Sequence, residues 1–263
     1  MTDRVSTTID GHVAHVMLNR AHKYNALDLK MFNALGDAAD SVRENSAVRA
    51  VVLHGDGENF CAGIDTSMFT DPSIRLDAAL MEPVEPSLAN LFQRAAYAWR
   101  ELPIPVICAL HGITYGGGLQ IALGADLRIA SPDTRFSIME TKWGLVPDMA
   151  MSTTLRGIVA ADRAKELAWS ARVFGADEAL GLGIVTAVED DPLAAAGAMA
   201  AEYAAKSPEA IRGIKRLVND AWQLSEGEAL AMEARLQLGV IGSPNQVEAV
   251  TANMAKRPAK FAD

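Results

Sequence analysis

The chain has little cysteine: Cys61 and Cys108 are the only two in 263 residues. There is no CxxC pair and no Cys/His cluster, so neither a zinc site nor a disulfide framework is indicated. Both cysteines sit in apolar surroundings and read as buried, reduced thiols. The five histidines, His12, His15, His22, His54 and His111, lack metal-ligand spacing and read as ordinary polar residues, so no metal is expected. No apolar run approaches the ~20 residues of a membrane span. Met1-Thr2-Asp3-Arg4 carries no apolar signal region, which leads to the expectation of a soluble, cytoplasmic protein. Basic charge is also short. Lys and Arg number 24 against 33 Asp and Glu, for a net charge of -9. The basic stripe of a nucleic-acid surface is missing. There is no GxGxxG, since Gly112…Gly116-Gly117-Gly118 has the wrong spacing, and no Walker A or GxSxG motif. A nucleotide-dependent oxidoreductase therefore has no fingerprint here.

The most informative stretch that is present runs from His111 to Leu123. An apolar run, Pro105 to Leu110, reads as a buried strand leading into it. Gly116-Gly117-Gly118 follows and opens a helix. Consecutive glycines permit close backbone approach. Free N–H groups at a helix N-terminus favour negative charge, whether a bound anion or an oxyanion formed during reaction. A tight turn packing a helix on a sheet is the plainer alternative, and both readings stay open on the glycines alone.

Around this stretch, residues 4–9 and 13–18 alternate about Asp10-Gly11 as a hairpin. Asp28 caps a helix reaching about Arg43, and residues 50–54 form a strand. Residues 66–86 read as a mobile loop with some helix. A helix is expected over 87–101, strands at 126–130 and 135–138, helix over 150–171, and a strand at 184–188. From Pro192 the pattern is helical, broken near Pro208, Gly227 and Pro244. Strands alternating with helices, then a helical tail, give an α/β class.

Two places carry glycine-bordered amides after a strand: Ala62-Gly63-Ile64-Asp65 and Gly116-Gly117-Gly118. Two N–H donors converging on a thioester oxygen would stabilise an enolate, at about 3 kcal/mol or more per donor. A base must then reach the proton on the adjacent carbon. Glu140 and Asp148 flank the largely apolar loop Trp143-Gly144-Leu145-Val146-Pro147, an environment that raises a carboxyl pKa. Alternatively Glu140 ends a strand and Asp148 caps a helix near Met149. Asp65 and Asp126 read as structural turn and strand-start residues.

Four stretches in register carry a resemblance to the crotonase, or enoyl-CoA hydratase/isomerase, superfamily. They are Leu18-Asn19-Arg20 through Asn25-Ala26-Leu27, Phe60 through Asp65, His111-Gly112 through Gly116-Gly117-Gly118 to Asp126, and Phe136 through Glu140 to Pro147. The resemblance implies a spiral of repeated ββα units over residues 1–195. It also implies a C-terminal helical trimerisation region over 196–263, with assembly as a homotrimer or dimer of trimers. Oxyanion donors would be the Ile64 and Gly117 amides. Coenzyme A, part of the substrate rather than a cofactor, would lie near Lys23 and the backbone of Ala62, Gly63 and Asp65. Met68, Phe69, Tyr115 and Trp143 become walls of an acyl pocket, with ordinary core as the alternative for each.

Two departures from the hydratase pattern bear on the reaction. Hydratases of the family carry two glutamates; the second matches Glu140, and the first falls at Gln120. An amide orients a water but cannot take and return its proton. Hydratases usually have glycine at the position of Asp148, whereas the family's dienoyl-CoA isomerases resemble this chain there. Their third acid would fall at Gln120. The leading expectation is double-bond isomerisation of an acyl-CoA, with Glu140 and Asp148 transferring protons and Gln120 orienting. The alternatives are an enoyl-CoA hydratase of fatty-acid oxidation relying on Glu140, a related lyase or hydrolase, and a non-catalytic acyl-CoA-binding protein.

Overall fold

The computed structural model describes residues 4–71 and 78–262. The chain begins with strands β1 (Val5–Asp10) and β2 (Val13–Leu18), paired antiparallel from Val5↔Leu18 to Asp10↔Val13. This is the predicted hairpin. Helix α1 (Leu29–Glu44) starts where Asp28 accepts the Met31 N–H at 2.8 Å, as its sequence position implied. Strand β3 (Ala50–Gly55), short helix α2 (Ser67–Thr70) and helix α3 (Leu91–Glu101) follow. The expected loop over 66–86 is partly tested: α2 and a 3-10 turn at Ala78–Met81 supply its helix, and 72–77 lie outside the described residues. Helix α3 begins at Leu91 rather than 87. The reason is a capping box in which the Asn90 side chain takes the Gln93 N–H and Gln93 returns to the Asn90 N–H.

Strand β4 (Val106–Leu110), strand β5 (Ile113–Tyr115) and helix α4 (Gly117–Gly124) form the next unit. Then come β6 (Leu127–Ala130), β7 (Arg135–Ser137), α5 (Met151–Thr154), α6 (Ala161–Ser170), β8 (Phe174–Gly175), α7 (Ala176–Gly181) and β9 (Ala187–Val188). The tail holds α8 (Pro192–Ala204), α9 (Pro208–Ala221), α10 (Glu226–Val240) and α11 (Pro244–Met254). The predicted helix over 150–171 is two pieces, and the predicted strand 184–188 shrinks to two residues. The break expected near Gly227 lies at 222–225 instead, because Ser225 caps α10 and Gly227 sits in its first turn.

Six strands form one sheet in the order β1-β2-β3-β4-β6-β9, parallel from β2 onward; β5-β7-β8 form a second. The chain visits the sheets in turn: β4 then β5, β6 then β7. Isolated parallel bridges, Leu27↔Ile64 and Cys61↔Thr114, extend that alternation back through the earlier turns. This is a ββα spiral.

Period-two alternation assigns the faces of the large sheet. Val51, Leu53, Val106, Cys108 and Leu110 join α1, α3 and α4 in the main core. Ala50, Val52, Ile107 and Ala109 face the other way, against Ala196, Ala200 and Ala204 of α8. Both faces are thus covered, as a parallel sheet requires. The expected boundary falls at 195/196. It cuts α8, whose alanines, spaced by four residues, lie flat on the sheet and belong to the spiral core. Helix α9 is tied to the same core by Lys215. Its buried ammonium donates to Trp99 O, Ile104 O and Asp126 Oδ2, the last at 2.7 Å. Asp126 also accepts the Val106 N–H at 2.8 Å, the structural role expected of it.

Candidate active site

The two glycine-bordered amides come together through strand pairing. Cys61 donates its N–H to Ile113 O and accepts the Tyr115 N–H, each at 3.0 Å. Two residues on, Gly63 holds φ +87°, and a Cβ there would stand 2.8 Å from Tyr115 O and 3.4 Å from Gly117 N. Only glycine permits that approach. Gly118 lies as close: a Cβ on it would reach 2.4 Å from Cys61 O.

The direction of each amide follows from local geometry. On the other edge of this segment, Leu27 donates to Gly63 O and accepts from Asp65 N–H, both at 2.9 Å. In such a parallel bridge the flanking groups of residue 64 bond, and its own N–H points away from the partner. Gly117 is the first residue of α4, where amides have no intrahelical acceptor. Neither amide has a hydrogen-bond acceptor among the described residues. Ile64 and Gly117 therefore offer adjacent N–H groups at a helix N-terminus.

Glu140 opens the 3-10 turn Glu140–Trp143 and is buried at 7% exposure. Its Oε1 would sit 3.4 Å from a Cβ on Gly116, directly beside the amide pair. Oε1 accepts the Gln120 Nε2–H at 2.6 Å, while the buried Oε2 has no partner among the described residues. Burial is the main influence on its pKa and raises it above the ordinary 4.5. Its own amide and Gln120 pull against that shift, and the nearby charge of Asp148 adds to it. Gln120 in turn accepts the Met149 N–H at 2.9 Å. The amide therefore links Glu140 to the segment bearing Asp148.

Asp148 does not cap a helix. The N-cap of α5 is Ala150, in left-handed conformation with φ 66°. Asp148 is more open to solvent than Glu140. Even so, partial burial raises its pKa, with its own amide opposing. Glu140, Asp148 and Gln120, singled out in the sequence, are thus brought to one place, with Gln120 bonded both to Glu140 and to the residue after Asp148.

The other predicted residues divide. Lys23 is exposed on the turn Ala21–Lys23, next to Tyr24, whose carbonyl accepts the Ala62 N–H at 2.9 Å. Lys23, Ala62, Gly63 and Asp65 therefore share one edge. The Asp65 carboxylate is already engaged by Arg20 at 2.7 Å and Ser67 N–H at 2.9 Å. Although burial pushes its pKa up, these bonds and the Arg20 charge hold it below the ordinary range, so the structural reading of its side chain stands. Phe69 and Trp143 are exposed and face each other at 6.3 Å between ring centroids. Tyr115 is half-buried on β5, ahead of the glycines. Met68 belongs to the main core. Cys61 and Cys108 are buried and unpaired, with the Cys61 thiol pushed up to about 12 by burial. Sequence reasoning assigned no role to Arg20 or to the pairing of Leu27. Arg20 follows a strand and precedes two positive-φ residues, Tyr24 and Asn25. Its only sequence signal was its place in a matched motif.

A two-sheet ββα spiral, with paired glycine-bordered amides beside a buried carboxyl, is the architecture of the crotonase superfamily. The sequence profile of the enoyl-CoA hydratase/isomerase family matches residues 8–263. The chain is 33% identical to the mitochondrial Delta(3,5)-Delta(2,4)-dienoyl-CoA isomerase of Mus musculus, covering 97% of this chain and 80% of that one. It is 32% identical to the peroxisomal dienoyl-CoA isomerase of Arabidopsis thaliana, covering 96% and 94%. The crystal structure of an enoyl-CoA hydratase from Bacillus anthracis superposes with a TM-score of 0.88 at 28% identity over 98% of both chains. The protein belongs to the enoyl-CoA hydratase/isomerase family of enzymes.

Proposed function

We propose that this enzyme isomerises double bonds in dienoyl-CoA thioesters through an enolate held by the Ile64 and Gly117 amides. The observation that carries this reading is geometric: buried Glu140 lies beside Gly116 and is linked through Gln120 to the Met149 amide, next to Asp148, with burial raising the pKa of both carboxyls. With a 3,5-dienoyl-CoA, Glu140 beside Gly116–Gly117 removes a proton from C2. The electron pair delocalises over C2 to C6 and onto the thioester oxygen, where the two N–H groups receive it. Asp148, as the acid, delivers a proton to C6, giving the 2,4-dienoyl product. Raised pKa values suit both roles near neutral pH. Gln120 holds Glu140 and has no proton to exchange, so an activated water lacks its second carboxylate.

The CoA moiety lies along Lys23 and the backbone from Ala62 to Asp65. The acyl chain runs past Tyr115 toward the Phe69–Trp143 pair, with Met68 behind it. No cofactor beyond the CoA substrate enters this chemistry. The working form is a homotrimer or a dimer of trimers, in which a second copy covers the exposed apolar residues of the C-terminal helices. The test offers 3,5-dienoyl-CoA and 2-enoyl-CoA separately and follows the conjugated-diene and enoyl absorbances. Faster consumption of the dienoyl substrate is expected. Rapid hydration of the 2-enoyl-CoA without isomerisation would instead make the enzyme a hydratase relying on Glu140. Binding of both without turnover would make it a non-catalytic acyl-CoA-binding protein.

A further inference from the structure

Arg20 is a buried arginine that the chemistry above does not use. Its side chain is 9% exposed, and its contacts all lie on one structural joint. Nη1 donates to Ala26 O at 2.8 Å and pairs with Asp65 Oδ2 at 2.7 Å. Nη2 lies 3.5 Å from Asp28 Oδ2. Its own N–H donates to Asn25 Oδ1 at 2.8 Å. Ala26 and Asp65 immediately flank the two members of the Leu27↔Ile64 bridge, Ala26 before Leu27 and Asp65 after Ile64. One guanidinium therefore grips both chains of the bridge that aims the Ile64 N–H. Asp28 anchors the far side, since it caps α1 and is held by Arg4 at 2.7 Å.

We propose that Arg20 is a positioning residue of the oxyanion site, holding the Ile64 amide in line with that of Gly117 by clamping the Leu27–Ile64 bridge from both sides. This rests on the enolate reading of the two amides. The bridge has only two hydrogen bonds of its own, Leu27 N–H to Gly63 O and Asp65 N–H to Leu27 O. Without the clamp, residues 63–65 are free to tilt about them, and an oxyanion donor loses its value steeply with misplacement. The fork geometry matters: a lysine ammonium is a point charge and cannot hold Ala26 O, Asp65 and Asp28 together.

The test reads thioester polarisation without turnover, so its outcome is separate from whether 3,5-dienoyl-CoA is isomerised. An aryl-conjugated 2-enoyl-CoA is bound to the wild type and to Arg20→Met, Arg20→Lys, Asp65→Asn and Arg94→Met, and its red shift is recorded. Arg94, itself 14% exposed, pairs with the more exposed Asp40 (48%) between α1 and α3, away from the bridge, and serves as the control for lost stability alone. Arg20→Met is expected to lose most of the shift, with Arg20→Lys and Asp65→Asn intermediate. Arg94→Met keeps the wild-type shift while melting earlier. On any thioester that turns over, Arg20→Lys lowers kcat about tenfold with KM within about twofold. A full shift in Arg20→Met overturns the proposal. Should that variant not fold, a full shift in both Arg20→Lys and Asp65→Asn overturns it. A wild type that produces no shift removes the oxyanion reading and this inference with it.

Discussion

Glu140 is a buried carboxyl only partly satisfied: one oxygen is held by Gln120 and the other has no partner among the described residues. Such a group costs stability when ionised. Its folded pKa lies above its unfolded one, chiefly through burial. In the window between the two values the folded state binds more protons, so stability falls as pH rises through it. Glu140→Gln removes that penalty. The variant should melt above the wild type at pH 7, with the gap closing as pH falls through that window toward the ordinary glutamate value of 4.5 and gone below it. A melting series across pH measures this. The same variant should lose roughly 10²- to 10⁴-fold in turnover, the usual contribution of a general base. Identical melting profiles with unchanged turnover would remove Glu140 from the centre. The two carboxyls were singled out in the sequence by the apolar loop between them, yet Trp143, Leu145 and Val146 of that loop are exposed and it is Glu140 itself that is buried. The link through Gln120 to the Met149 amide was not legible there, since it depends on a tertiary contact between α4 and the loop before α5. Arg20 escaped for the same reason: its partners lie 6, 8 and 45 positions away and meet only after folding.

At the scale of elements, the site is a junction of two short strand segments and one helix end. Gly63 controls how closely they meet. Gly63→Ala adds a Cβ at 2.8 Å from Tyr115 O on a backbone with φ +87°, which an L side chain rarely adopts. The Ile64 and Gly117 amides must then separate. Turnover should fall about 10²-fold or more, in line with loss of one oxyanion donor. Steady-state kinetics with the preferred thioester decide this, and a variant with wild-type kcat would contradict the amide pair. Long, well-capped elements were readable in advance: the β1–β2 hairpin, α1 from Asp28, and the Pro-initiated helices α8, α9 and α11. The short strands β5, β8 and β9 were missed or misjudged. With two or three residues each, they show no period and exist only through partners in the second sheet and at the edge of the first.

For the whole molecule, the spiral buries its sheet between α1, α3 and α8, while the last helices present apolar residues outward. Ile214, Val218 and Trp222 on or next to α9 are 59%, 45% and 78% exposed. A groove of about 850 Å³ runs between them and the core. A second copy seated there would cover more apolar surface than isolated surface residues explain. Light scattering is expected to give three or six times the 28.0 kDa chain mass. Trp222→Asp should shift the population toward 28.0 kDa, and a wild type already at that mass would contradict the assembly. The ββα spiral and its family were legible from four motifs in register. The packing of α8 was not, because its alanine stripe reads from sequence as tail helix until the sheet face it covers is seen.

In the proposed reaction two carboxyls divide the proton transfer, Glu140 at C2 and Asp148 at C6 of a shared dienolate. Asp148→Asn, assayed with 3,5-dienoyl-CoA in deuterated water, separates the two steps. Deuterium is expected to continue entering C2 of the unconverted substrate, while formation of 2,4-dienoyl-CoA falls by about 10²-fold or more, the scale of a lost general acid. Isomerisation at the wild-type rate in Asp148→Asn, or loss of C2 exchange together with isomerisation, would contradict this division.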